Sequence, residues 1–176
     1  MGDSRDALLT RIVDDVAANG LGDRSLRDLA TAVGSSHRML LYHFGSREGL
    51  VAAIVERVEA TQRALMAADV PAAATAAEVI RGVWSRVSAP ETLPLVRLFF
   101  ETVAYAGREG TDLTSAWLDD AAALAVALGI APDPVGTRLG VAVMRGLLVD
   151  VVTGGDADAA SAALERFVAL IKDFRP

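Results

Sequence analysis

Residues 25–50 read SLRDLATAVGSSHRMLLYHFGSREGL. Ser25 precedes a series of apolar residues at helical spacing, and Asp28 follows three positions later, the combination of a hydroxyl and an acid that caps the start of a helix. Gly34 marks the end of this short helix, and Ser36 is a suitable cap for a second one. Two short helices joined by a tight turn have the spacing of a helix-turn-helix.

The second of these helices has an unusual outward surface. At about 100° per residue, Leu40 and Phe44 point to one side, whereas Arg38 and Tyr42 point nearly opposite and Met39 lies beside them. An ordinary solvated face favours Glu, Lys or Gln, whereas a basic, aromatic and thioether surface suits the base edges and phosphates of a major groove. The alternative is a short surface helix with incidental side chains, and the spacing alone leaves both interpretations open.

Arg47 lies in the first turn of the following helix, where the helix dipole disfavours a cation and favours an anion. A bound phosphate would suit both the arginine and the dipole. The amides after Ser46, and the capped start after Ser25, are each suited to hold a phosphate in the same way. The alternative for Arg47 is an ion pair with Glu48 or free solvation.

The rest of the chain is predicted to be helical. Apolar residues recur at spacings of three and four, and no stretch alternates as a strand would. The first helix is expected from about Ser4 to Asn19, the long fourth helix is expected to reach Ala68, and five more helical stretches follow. We therefore predict an all-α fold in which an N-terminal three-helix helix-turn-helix domain, residues 1–48, is joined by a long helix to a C-terminal helical domain, residues 49–176.

Composition narrows the class of protein further. The 176 residues are 52% apolar, contain no cysteine and carry a net charge of −6, which argues against unspecific coating of nucleic acid. Residues 24–47 nevertheless contain four arginines against one acid, which is compatible with a small basic face on an acidic body. The chain begins without the basic and apolar runs of a signal peptide, and no stretch reaches the roughly 20 apolar residues of a membrane-spanning helix. We expect a cytoplasmic protein without a membrane partner.

Residues 25–50 resemble the helix-turn-helix of the TetR family of bacterial transcriptional regulators. The resemblance is ungapped and lies in a hydroxyl residue that caps the second helix, a small-Gly turn, a recognition helix that ends in aromatic-His-Phe, and a Ser-Arg-Glu start to the fourth helix. It covers roughly residues 5–60, about a third of the chain. One residue departs from the pattern: Leu41 stands where the family usually has tyrosine, so the aromatic residue before His43 is Tyr42.

The resemblance implies a DNA-binding role for each matching residue. Contacts with backbone phosphates are implied for Ser25, Tyr42, His43 and Arg47. Positions facing the bases are implied for Ser36, His37, Arg38 and Met39. A role as cap or packing residues is the alternative for the two histidines. Two such helices related by two-fold symmetry would bind an inverted repeat in double-stranded DNA.

The last two predicted helices are amphipathic, and each has an apolar stripe that needs a neighbour. The TetR family is similar in dimerising through its last two helices, which predicts a homodimer. The residues expected at the interface are Leu139, Val143, Leu147, Leu164, Phe167 and Ile171. Ordinary packing within one chain is the alternative explanation of both stripes.

The middle helices contain several of the few large side chains, and these are candidates to line a ligand pocket. They are Trp84, Phe100, Tyr105 and Trp117. In the resembled family a small, often apolar ligand binds among these helices and changes the spacing of the two DNA-reading heads. The alternative is that the aromatic residues fill the core. Arg145 lies amid apolar residues of a helix, where its charge requires an acid or a dimer partner.

These observations predict a DNA-binding transcriptional regulator, a repressor that a small molecule releases from an inverted-repeat operator. An enzyme is the rival from another class, but the sequence contains no nucleophile elbow, metal-binding histidine pair, phosphate loop or dinucleotide fingerprint. We therefore predict no catalytic residues, no metal and no cofactor. The main alternative is a helical ligand-binding or protein-interaction module that has lost DNA binding, because the net charge is acidic and Leu41 replaces the tyrosine.

Overall fold

The structure, a computed structural model, describes residues 4–67, 71, 74–108, 112 and 114–173. The side chains of residues 104–108 and 172–173 lie outside the described part. Every regular element within these ranges is a helix, so the predicted all-α class is confirmed. The helices are α1 (Arg5–Asn19), α2 (Leu26–Ala32), α3 (His37–Phe44), α4 (Arg47–Ala67), α5 (Ala76–Val87), α6 (Leu93–Arg108), α7 (Ser115–Ala127), α8 (Pro134–Val152) and α9 (Ala157–Asp173).

Local capping explains where several helices begin and end. Ser4 caps α1 through its side chain, and α1 ends at Gly20, whose φ of +77° is a conformation that residues with a Cβ rarely adopt. Thr75 and Glu78 form a reciprocal capping box at the start of α5. The predicted bounds of the first helix agree with those of α1 to within one residue, whereas the predicted end of the fourth helix, Ala68, lies outside the described residues.

The contacts divide the chain into two compact units. The first unit comprises Met1–Thr61 and Arg97–Asp112, and the second comprises Gln62–Val96 and Leu113–Pro176. The residues of α4 and α6 are therefore shared between the units. The sequence-based boundary after residue 48 follows the helix-turn-helix motif and stays a prediction.

The core of the first unit is built from aliphatic residues on one face of each helix. Leu8, Ile12 and Val16 recur every fourth residue of α1 and are fully buried. The same unit buries Leu29, Leu40, Leu50, Ile54 and Val58 from α2, α3 and α4. Each such side chain contributes about 1.5–3 kcal/mol when it leaves water. This burial stabilises α2 and α3, which are too short to be stable as isolated helices.

In the second unit, α7, α8, α9 and α5 pack one against the next. α8 contacts both α7 and α9, and α5 contacts α9. A bidentate ion pair joins Arg81 of α5 to Glu165 of α9, with 2.6 Å between Nη2 and Oε2. The buried side chains of this unit include Trp84, Trp117, Leu148, Leu164 and Val168.

Candidate nucleic-acid interface

Helix α2 begins with the capping box that the sequence predicts. The Ser25 hydroxyl accepts a hydrogen bond from the Asp28 N–H (3.3 Å) and donates to the Asp28 carboxylate (2.6 Å), which also accepts from the Ser25 N–H (2.9 Å). These hydrogen bonds from Ser25 hold the pKa of the exposed Asp28 carboxyl below its ordinary value. Ser25 lies on the surface, but its hydroxyl proton is directed at Asp28.

A tight turn connects α2 to α3. Gly34 has a φ of +65°, a left-handed conformation that glycine adopts without steric cost, and the Ser35 N–H donates to the Ala30 carbonyl at 2.8 Å. Ser36 then caps α3 by accepting from the Met39 N–H at 3.2 Å. Because α2 and α3 also contact each other, the turn and the caps hold α3 in one orientation on α2.

Helix α3 has one buried face and one exposed face. Leu40 and Phe44 are buried, whereas Tyr42 is 78% exposed and Arg38 is exposed on the same side as Tyr42. The Arg38 side chain makes no hydrogen bond or ion pair with any described residue. Its five N–H donors therefore remain available to an external partner.

The other predicted contact residues in and beside α3, and Leu41, are exposed to different extents. Ser36 is exposed, His37 and Met39 are half-buried, and Leu41 is 39% exposed. His43 is half-buried, and its Nε2 atom is buried without a hydrogen-bond partner among the described residues. That nitrogen does not reach the surface where a phosphate would bind.

Arg47 faces the loop between α1 and α2. Its Nε donates to the carbonyl oxygen of Arg24 at 3.0 Å, and its Nη2 donates to the carbonyl oxygen of Gly22 at 2.8 Å. The partners of these two nitrogens are backbone carbonyls and not Glu48 or bulk solvent. A carbonyl acceptor leaves no signature in the sequence, so this arrangement was not predicted.

The loop that Arg47 contacts borders a cavity of about 610 Å³ within the first unit. The cavity is lined by residues 19–24 together with Arg47, Val51 and Glu101. Arg24 forms an ion pair with Asp15 (2.7 Å), and the Leu21 N–H donates to the Glu101 carboxylate at 3.4 Å. Several polar contacts therefore hold the short segment that leads into α2.

Arg5 is a surface cation beside α3 that the sequence did not indicate. Its side chain is exposed, and its guanidinium carbon lies 5.3 Å from the centre of the Phe44 ring, within cation–π range. The periodicity of α1 identifies the buried stripe of that helix. It does not reveal that the first residue of α1 meets the last residue of α3.

The fold has counterparts among solved structures. A Rhodococcus sp. protein assigned to the TetR family of transcriptional regulators matches 96% of each chain with a TM-score of 0.70 and 23% sequence identity. EbrR, a multidrug binding protein whose crystal structure is a complex with imidazole, matches 94% of this chain and 95% of its own with a TM-score of 0.60 and 22% identity. The chain has the TetR-family fold.

A third structure, a TetR-family transcriptional regulator from Haemophilus influenzae RD, matches 94% of each chain with a TM-score of 0.58 at 13% identity. No protein-family model and no curated protein matches the sequence itself. At these identities the matches establish the TetR-family fold and not the function.

Two of the four aromatic residues predicted to line a pocket are buried in the second unit of this TetR-family fold. They are Trp84, whose Nε1 donates to Ser161 Oγ at 2.9 Å, and Trp117, whose ring lies under the Arg145 guanidinium. Phe100 is half-buried and belongs to the first unit, and the side chain of Tyr105 lies outside the described residues. The ligand pocket stays a prediction.

The residues predicted for the dimer interface differ in exposure. Leu139 is 51% exposed, and Leu164 is 1% exposed and so is already buried within a single chain. The other four, which are Val143, Leu147, Phe167 and Ile171, are half-buried. α8 and α9 expose further apolar side chains at Val135, Val149 and Leu170. Leu139 thus offers a partner much more surface than Leu164 does.

Within the described ranges, no group of three or more His, Cys, Asp or Glu side chains is placed to hold a metal ion. None of the described helices combines the length and the apolar content that a membrane crossing requires.

Proposed function

We propose that the protein is a TetR-family transcriptional regulator that binds double-stranded DNA through α3. The observation that carries this proposal is the contrast between the buried face of α3, with Leu40 and Phe44, and its exposed face, with Arg38 and Tyr42. Because the buried face seats the helix firmly, the exposed face is a preorganised surface, which lowers the entropic cost of binding. An unpartnered cation beside an exposed phenol suits base edges and phosphates.

In this proposal Arg38 reads a base and Tyr42 binds a phosphate. A guanidinium presents two parallel donors, and its bidentate contact with guanine is the commonest specific contact in major grooves. Tyr42 combines high exposure with a hydroxyl that donates to a phosphate oxygen. Ser36, His37 and Met39 flank the base-reading position, and Ser25 stays a candidate for a phosphate contact. His43 stays a candidate through Nδ1, because its Nε2 is buried.

A homodimer on an inverted repeat follows from the same proposal. α8 exposes Val135 and Leu139, which are one helical turn apart and present apolar surface to water. A second copy of the chain would cover this surface. Two-fold symmetry would then place two α3 helices about one DNA turn, roughly 34 Å, or somewhat more apart.

Release by a small molecule completes the proposal. One protein with the same fold, EbrR, is a multidrug binding protein in complex with imidazole, which supports a search for a ligand. A ligand that prefers one spacing of the two α3 helices shifts the dimer toward that spacing, and its differential affinity sets the effect on DNA. Trp84 and Trp117 are buried in the second unit, so quenching of tryptophan fluorescence reports such a ligand.

The test is the affinity of the purified protein for DNA from the region upstream of its own gene, against scrambled DNA of equal length, across a salt series. We expect a preference for the upstream DNA and an affinity that falls as salt rises, because bound phosphates release counterions. No preference at any salt would instead favour the alternative, a helical ligand-binding or protein-interaction module that has lost DNA binding.

Two variants assign the base contact. Arg38→Ala is expected to cost about 1–3 kcal/mol on the preferred site and to relax the preference at one base pair. Arg166→Ala removes the same charge from the exposed side of α9 and is expected to change neither affinity nor preference. Uniform weakening of the Arg38 variant on all sequences would assign Arg38 to a phosphate.

A further inference from the structure

The contacts of Arg47 differ from the phosphate contact that the family resemblance implies for this residue. The Arg47 guanidinium is half-buried and donates from two nitrogens to the carbonyls of Gly22 and Arg24, at 2.8 and 3.0 Å. Two parallel donors on two carbonyl oxygens of one loop use the planar fork of arginine, which a lysine ammonium does not reproduce. These contacts direct the charge toward the loop.

The loop that Arg47 holds leads directly into the first helix of the helix-turn-helix. Gly22 has a φ of +44°, and the chain reaches Ser25, the cap of α2, three residues later. Arg24 secures the other side of this loop through Asp15 and the carbonyl of Gly20. Since α2 packs on α3, a change in the loop would shift the start of α2 and the surface around α3.

Arg5 has the opposite character. It is exposed, it makes no hydrogen bond or ion pair with any described residue, and its contact with the Phe44 ring holds it against the end of α3. The cation–π contact leaves the five N–H donors of the guanidinium available. A series of ring contacts connects Arg5 to the exposed face of α3. Arg5 lies over the Phe44 ring, and the His43 ring lies edge-on to both Phe44 and the exposed Tyr42.

We propose that Arg47 is a positioning residue, which holds the loop before α2, and that Arg5 is the arginine that binds a DNA phosphate at this end of α3. The inference rests on the proposed DNA-binding function and adds to it a division of labour between two arginines. It predicts that removing either cation weakens DNA binding, but for different physical reasons.

The test compares the wild-type protein with Arg5→Ala, Arg47→Ala and Arg47→Lys in DNA binding across a salt series, well below the unfolding temperature of every variant. Arg5→Ala and Arg47→Ala are matched controls, because each removes one guanidinium from the same unit. We expect Arg5→Ala to reduce the slope of log affinity against log salt by about 1, the value for one lost phosphate contact. We expect Arg47→Ala to weaken binding on the order of tenfold with an unchanged slope.

The Arg47→Lys variant tests whether Arg47 acts through its positive charge alone or through the two parallel donors of its guanidinium. If Arg47 positions the loop, lysine behaves as alanine does, because it does not hold both carbonyls. If Arg47 binds a phosphate, lysine restores the wild-type affinity and slope, and that result would overturn the assignment of Arg47. An unchanged slope in Arg5→Ala would overturn the assignment of Arg5.

Hydrogen exchange tests the role of Arg47 independently of the proposed DNA-binding function. The amides of residues 21–25 are expected to exchange faster in both Arg47 variants and at the wild-type rate in Arg5→Ala. This readout needs no DNA. If the wild-type protein binds no DNA, the proposed function fails and so does the role of Arg5, whereas the exchange rates still decide whether Arg47 holds the loop. Unchanged exchange in both Arg47 variants would refute that role.

Discussion

The guanidinium of Arg145 lies 4.7 Å from the centre of the Trp117 indole ring, and its Nη1 donates to Thr114 Oγ1 at 3.1 Å. In the sequence Arg145 lies amid apolar residues of α8, where its charge is expected to need a partner. The structure supplies partners from the same chain, from α7 and the residue before it. A ring face and a hydroxyl are polar enough to keep a half-buried guanidinium charged at moderate cost.

Replacing Arg145 tests this arrangement. Arg145→Met keeps most of the apolar stem but loses the cation over the indole and the hydrogen bond, so we expect a loss of about 1–2 kcal/mol in the free energy of unfolding. Urea unfolding measures it. Arg138→Met, on the exposed side of the same helix, is the control and is expected to stay within about 0.5 kcal/mol of wild type. Equal stabilities for the two variants would show that the contact contributes nothing.

The capping box at Ser25 predicts an acid-sensitive start of α2. Because hydrogen bonds from Ser25 lower the pKa of Asp28 in the folded state, the carboxylate contributes stability above the ordinary aspartate pKa of about 3.9, and this contribution is lost as the pH falls through the lower folded value. Asp28→Asn is therefore expected to be less stable than wild type at pH 7 and equally stable at strongly acid pH. Asp23→Asn, which removes an exposed carboxylate two residues before the cap, serves as the control and is expected to stay within about 0.5 kcal/mol of wild type at pH 7. A constant deficit for Asp28→Asn at every pH would contradict the prediction.

Replacement of the buried amide of Gln62 is expected to stabilise the protein. It is 2% exposed, and its Nε2 has no hydrogen-bond partner among the described residues. An unpaired buried donor costs about 1–3 kcal/mol, so Gln62→Met, which keeps the length and removes the amide, is expected to raise the unfolding temperature. Gln62→Glu, which buries a carboxyl group at the same place, is expected to lower it. Destabilisation by methionine would mean that the amide nitrogen has a partner.

The exposed apolar residue Leu139 predicts the oligomeric state. Leu139→Glu places a charge on the surface of α8 that a second copy is expected to cover, so the dimer should dissociate at concentrations where the wild type is dimeric. Sedimentation velocity measures the mass, and DNA binding should weaken in parallel. Val126→Glu makes a comparable change at an exposed position of α7 and is expected to leave the dimer intact. A wild-type protein that sediments as a monomer would refute the proposed dimer.

Much of the helix-turn-helix was predictable because its signals are local. The Ser25–Asp28 box, the glycine turn at Gly34 and the cap at Ser36 act on neighbours within four residues, and each appears in the structure as the sequence predicts. The two faces of α3 follow from helical geometry alone. The C-terminal region was less predictable, because an apolar stripe packs equally well inside one chain or against a second copy. Leu164 and Leu139 look alike in the sequence, yet one is buried and the other is exposed.

The all-helical class, the ends of the first helices and the residues presented by α3 could be predicted from the sequence, since periodicity and capping operate over one or two turns of chain. The contacts of the arginines depend instead on tertiary packing. Arg47 donates to backbone carbonyls 23 and 25 residues away, Arg5 lies over the ring of Phe44, and Arg145 lies over that of Trp117. A carbonyl oxygen is present at every residue, and an aromatic face accepts a cation from any part of the chain that packs over it, so neither marks its partner in the sequence, and packing alone selects the pair.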